Sequence, residues 1–149
     1  MEVRVAKANG RDYKMSVRVQ IPLDLGTDRG FRMYFKVAIS AAYTGGQSTD
    51  FSMVWRAVPN NSDPSAIAFT ETDFTFDSGE SLPVESSGKW KTYVFEVKHS
   101  DLTGAEGGEL HLVFYVINSS TGPDWYLNQE GWVFPRISGG GTTGITAVA

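Results

Sequence analysis

The residues best suited to chemistry sit in the segment DWYLNQEGWVFPRI, Asp124 to Ile137. Two tryptophans, a tyrosine and a phenylalanine are interleaved with Asn, Gln, Asp and Glu. Aromatic faces beside amides and carboxylates can bind a saccharide, the rings stacking on the sugar and the polar groups taking its hydroxyls. The same letters can also be the closing strand of a β-sandwich. Trp125 and Trp132 are seven apart, so a regular strand puts them on opposite faces. A bulge at Gly131 would return them to one face. Trp132 and Phe134 share a face either way, and Pro135, with no amide donor, should end the strand or lie at an edge. A sandwich of this size needs most of its large rings for its core. The expectation is therefore that Trp132 and Phe134 are buried. Trp125, just after the Gly122–Pro123 turn, is expected to be partly exposed at a loop or subunit contact. The competing sugar site would use Trp125, Tyr126, Trp90 and Tyr43 as rings, with Asp124 and Asn128 binding hydroxyls.

Other chemistry is sparse. His99 adjoins Ser100 and Asp101, but triad members converge from distant segments, and adjacency alone makes no oxyanion hole. It reads as a solvated loop histidine. His111 alternates with Leu110 and Leu112 and reads as a partly buried or interface residue. Neither histidine has a companion at metal-ligand spacing. Asp24 and Asp28 could offer oxygen to calcium, yet two carboxylates without a fuller ligand pattern read as a turn. Among seventeen acids no pair is marked out for glycoside hydrolysis. The sequence matches Asn60-Asn61-Ser62 and Asn118-Ser119-Ser120 have the glycosylation pattern but read as chance. No cofactor, metal or catalytic residue is expected.

The totals agree with a binding or structural role. The 149 residues suit one domain with an adequate core. With no cysteine, disulfides and thiolate metal sites are excluded. The net charge is −4 and the basic residues are scattered, which argues against nucleic acid as a partner. No apolar run approaches membrane-spanning length, so no membrane partner is expected. The first residues show no apolar signal-peptide core.

The elements that must position these residues are strands. YKMSVRVQI, FRMYFKVAI, DFSMVWRAV and KWKTYVFEVK alternate with period two, which describes half-buried strands. Trp55 shares a face with Phe51 and Met53 and is expected in the core. ELHLVFYVI is apolar on both faces toward its end and reads as central. IAF and DFTF read as short strands. About eight strands at even spacing predict an all-β antiparallel sandwich. Residues 1–12 read as an N-terminal arm or edge strand and 13–137 as the sandwich. Residues 138–149 read as a glycine-rich, flexible C-terminal tail, with Ile145 and Val148 as an apolar anchor awaiting a partner.

In order, VQIPLDLGTDRGFRMYFKV, DFSMVWRAV, FEVKHSDLTGAEGGELHLVFYV and WYLNQEGWVF resemble a group of jelly-roll domains in tailed-bacteriophage virion proteins. The shared features are a strand entering a proline- and aspartate-bearing turn, a central Val54-Trp55-Arg56 strand, and a loop from Asp101-Leu102-Thr103 to Gly107-Gly108-Glu109-Leu110. The resemblance spans residues 13–137. It implies a jelly-roll sandwich and a non-enzymatic structural role on the particle surface, as a head decoration or tail-attached protein, with no catalytic residues to carry over. Such domains often sit on a longer fibre; here the domain is nearly the whole chain, which favours a capsid decoration or cement protein. The implied partner is the major capsid protein or another virion protein. The implied location is the virion surface, after synthesis in the host cytoplasm. A homo-oligomer is expected, trimers before dimers, because lattices offer three-fold axes. Trp125, Tyr126, Ile145 and Val148 are the expected interface or anchor residues. The rival is a carbohydrate-binding module or receptor-binding tip on a phage tail, with a glycan as ligand.

Overall fold

A computed structural model describes residues 2–5, 12–119, 121–137 and 143–148. Among them are nine strands: β1 (Glu2–Val5), β2 (Asp12–Gln20), β3 (Phe31–Ile39), β4 (Thr49–Val58), β5 (Thr70–Phe76), β6 (Lys91–Val97), β7 (Glu109–Asn118), β8 (Trp125–Val133) and β9 (Gly144–Ala147). They make two antiparallel sheets. The first has the order β1-β8-β3-β6-β9 and the second β2-β7-β4-β5. Without β9 these are the two four-stranded sheets of a jelly roll, in which the chain crosses repeatedly between layers. The antiparallel jelly-roll sandwich expected from the sequence is thus observed, with one strand more than the expected eight.

Period-two patterning produces this arrangement directly. On β3, Phe31, Met33, Phe35, Val37 and Ile39 are buried, while Arg32, Tyr34 and Lys36 are half-exposed. Phe51, Met53 and Trp55 of β4 are buried, as their shared face predicts. β7 pairs with both β2 and β4 and contributes Leu110, Leu112, Phe114 and Val116 to the core. Its central position explains why both of its faces are apolar. The loop before β7 closes one end of the sandwich: Ile21 N–H donates to Gly108 O, and Gly107 N–H to Ile21 O. A β-carbon on Gly108 would overlap the carbonyl of Val58, so only glycine permits that approach.

Two expectations about elements are corrected. Ile67–Phe69 is not a strand. Asp63 caps a short 3-10 turn at Pro64–Ala66, accepting from Ser65 N–H at 3.0 Å, and pairing resumes only at Thr70. The second correction concerns the C-terminal tail. Gly144–Ala147 pairs with β6, Ile145 standing opposite Phe95 and packing against the core. The Thr143 hydroxyl donates to Asp101 at 2.6 Å and accepts from Lys98 N–H, and Val148 N–H donates to Thr92 O. Backbone pairing and the partial burial of Ile145 hold this segment to its own domain, so over 144–147 it is not a free arm. Val148, beyond the last pair, is 43% exposed. Residues 6–11 and 138–142, also assigned to arms, lie outside the described residues.

Trp125→Ala should cost about 3–5 kcal/mol, as large aromatic truncations in cores do, read as a fall in the urea midpoint at unchanged slope. Truncation before Thr143 should cost about 1–3 kcal/mol through lost burial of Ile145 and the β6–β9 bonds. A melting curve identical to that of the full chain would mean β9 contributes nothing to the domain.

Candidate functional site

The outer face of the first sheet brings together part of the expected set. Ala38 pairs with Tyr126, and Lys36 with Asn128 on one side and Thr92 on the other. Trp90 directly precedes β6, whose first residue, Lys91, pairs with Val37; Trp90 therefore stands level with Ala38. The Trp90 and Tyr126 rings meet edge to face, centroids 6.2 Å apart. Both are half-buried, and Ala38 between them is fully covered. Around the pair lies a polar margin. Lys36 Nζ is 3.5 Å from Glu130 Oε1, and further along Arg32 bonds Glu96 at 3.3 Å. Edge-to-face rings with charged groups at the margin can stack on an apolar face and offer hydrogen bonds around it.

The other expected residues lie elsewhere. Trp125 is fully buried, which corrects both its interface role and its sugar-platform role. It packs between Phe51 at 5.7 Å and Phe76 at 5.5 Å. The physical reason is that the start of β8 is not open. Gly122, Pro123 and Asp124 are themselves buried, Ser40 N–H and Oγ bond the Asp124 backbone, and Val5 of β1 pairs with Trp125. Asp124 is buried as well. Tyr43 is buried too, its hydroxyl 2.7 Å from Thr49 Oγ1. Burial pushes the Tyr43 phenol up to about 12 and raises that of Tyr93 as well. Trp132 reverses the other way: it is 42% exposed rather than buried. The register skips Glu130, so Gln129 faces Phe35 and Gly131 faces Tyr34, a bulge for which Gly131 adopts φ 157°. Trp132 is thereby aligned with Met33 on the inward row. Among the described residues β1 pairs with β8 only as far as Asn128, and the Trp132 ring is left partly exposed. Phe134, half-buried, packs on Phe31 at 5.5 Å, and β8 ends before Pro135 as its missing donor requires.

The second sheet has its own outer-face features, which patterning alone did not single out. A groove of about 300 Å³ is lined by Asp50, Ser52, Glu71, Asp73, Tyr115 and Ile117. Ser52 Oγ donates to Asp73 at 2.5 Å and Thr75 Oγ1 to Asp50 at 3.0 Å; each pair faces directly across β4 and β5. These bonds fix the carboxylates as cross-strand pairs. Their partners are separated by about two dozen residues, so only the register could reveal them. Asp28, which the sequence places in a turn, bonds Arg136 at 3.1 Å. The His99 ring bonds Arg29 O rather than Ser100 or Asp101, and Asp101 is engaged by Thr143. Among the described residues no group of three or more His, Asp or Glu side chains is placed to hold a metal ion. No family model matches the chain, and no curated protein matches it by sequence.

In single-tryptophan variants of the free protein, acrylamide should quench Trp132 readily and Trp90 in part, and leave Trp125 and Trp55 protected. Ready quenching of Trp125 would show that the start of β8 opens in solution.

Proposed function

We propose that this protein is a non-enzymatic virion structural protein, decorating or cementing a bacteriophage capsid as a homo-oligomer, trimers before dimers. It would meet the major capsid protein, or another virion protein, through the outer face of the first sheet. The observation that carries this reading is the half-exposed Trp90–Tyr126 pair with its margin of Lys36, Asn128 and Glu130. Rigid aromatic anchors inside a polar rim are what the centre of a protein contact requires. The jelly-roll topology and the placement of most large rings in the core support a structural role over a catalytic one. The Trp90–Tyr126 pair also supports a second reading, a glycan-binding module or receptor-binding tip. There the rings would stack on a sugar while Asn128 and Glu130 bound its hydroxyls.

The test is the double variant Trp90→Ala/Tyr126→Ala. Truncated anchors commonly cost 2 kcal/mol or more, so occupancy on purified particles should fall by roughly tenfold or more. Melting should shift by only a few degrees. Wild-type occupancy in the folded double variant would overturn the docking surface. Glycan-array binding by the wild type, abolished in the variant, would select the second reading.

A further inference from the structure

The end of the second sheet away from the acidic groove carries a basic row. Arg18, His111 and Arg56 stand in register on β2, β7 and β4. Glu109 precedes His111 by two residues on the same face of β7. His111 is 5% exposed. Its Nδ1 accepts a hydrogen bond from Arg56 Nε at 3.2 Å, so the proton of the neutral ring is on Nε2. Among the described residues Nε2 has no hydrogen-bond partner; it stands 3.7 Å from Glu109 Oε1, beyond hydrogen-bond reach.

Arg56 has a second task. Its Nη1 donates to Pro64 O at 2.7 Å and Ile67 O at 3.2 Å, and its guanidinium lies 4.2 Å from the centre of the Phe69 ring. All three partners belong to the segment joining β4 to β5. One guanidinium therefore ties that loop to the sheet while donating to a neutral imidazole. We propose that Arg56 and His111 form a pH-sensitive latch, and that protonation of His111 releases the 59–69 loop from the outer face of the second sheet.

The reason is the donor count. An imidazolium carries N–H on both nitrogens, so Nδ1 would aim a proton at the Arg56 Nε–H. Three cations would then stand side by side. Of the charged groups facing the ring, Arg18 from β2 and Arg56 from β4 oppose its protonation and Glu109 from β7 favours it. Asp63, from the loop, acts on Arg56, and its bonds from Ser65 keep its carboxyl below the usual range and so ionised in mild acid. Burial is the largest influence on His111, followed by the two arginines; together they outweigh Glu109 and hold its pKa below the ordinary value. The latched state thus binds a proton less tightly than the released one. It is favoured above the ordinary histidine pKa of about 6.5 and loses ground as pH falls below it, levelling off beneath the lowered pKa. Release frees Phe69, already 41% exposed, and opens the neighbouring cavity of about 210 Å³ against Gln20, Asn60, Gly108 and Glu109. Mild acid would therefore expose new apolar surface on this face.

The experiment is amide hydrogen exchange at Ala66 and Ile67, whose N–H groups bond Asp63 O and Pro64 O. Protection, corrected for intrinsic exchange, should fall between about pH 7.5 and 5, by at most about tenfold per unit below about 6.5. His111→Gln, which can still accept from Arg56 but cannot titrate, should keep protection near the neutral wild-type level at every pH. Arg56→Lys should lower protection throughout and remove the pH slope. A slope that survives in either variant, or wild-type protection that stays flat while the His111 ring titrates by NMR, overturns the latch. If His111→Gln does not fold, Arg56→Lys and the wild-type titration decide the question.

Discussion

The contact on which the rest of the structure depends is the interlocking of aromatic rings between the two sheets. Phe51 on β4 is its hub. It stacks on Phe35 at 5.2 Å and meets Trp125 at 5.7 Å, Phe114 at 6.1 Å and Phe76 at 6.2 Å. Phe76 in turn meets Tyr93 at 5.1 Å. Rings from β3, β6 and β8 thereby interleave with rings from β4, β5 and β7, filling the layer between sheets that pack about 10 Å apart. This burial is strong enough to carry polar atoms with it. The indole N–H groups of Trp55 and Trp125 and the Tyr93 hydroxyl are buried without hydrogen-bond partners among the described residues. Each costs about 1–3 kcal/mol, comparable to the gain from burying one large apolar side chain.

Once the core has taken these rings, those left on the outside become informative. Trp90 and Tyr126 are held together on the first sheet because Ala38 between them is small. The second sheet differs in character. Its outer face runs from a groove with Asp50, Glu71 and Asp73 to the row of Arg18, His111 and Arg56. One molecule thus presents an aromatic face and a charge-separated face on opposite sides of a single core. The loop held by Arg56 lies on the face away from the aromatic pair.

The edges of the first sheet are closed by short strands from the two ends of the chain. β1 and β9 have four residues each, and short edge strands leave little exposed ladder for unwanted pairing. At the start of β8 Trp125 is sealed by Phe51 and Phe76 of the opposite sheet, while Trp132 near the end of the strand is left 42% exposed.

Local pattern in the sequence determined the sheet architecture. Period two assigns Phe31 to Ile39 and Phe51 to Trp55 their inward faces, because a pleated strand alternates sides whatever its partners are. The stop at Pro135 and the bulge at Gly131 were readable for the same reason: both are local backbone properties. Whether an inward position is covered is not local. Trp125 and Trp132 both face inward, yet one is fully buried and the other is not, because Trp125 is covered by Phe51 and Phe76, which are distant in sequence and lie on the opposite sheet. The pairing of Gly144–Ala147 with β6, the joining of Trp90 to Tyr126 and the alignment of Arg18, His111 and Arg56 are likewise matters of register. Register between distant strands is set by the packing of the whole core, and only the tertiary structure could decide it.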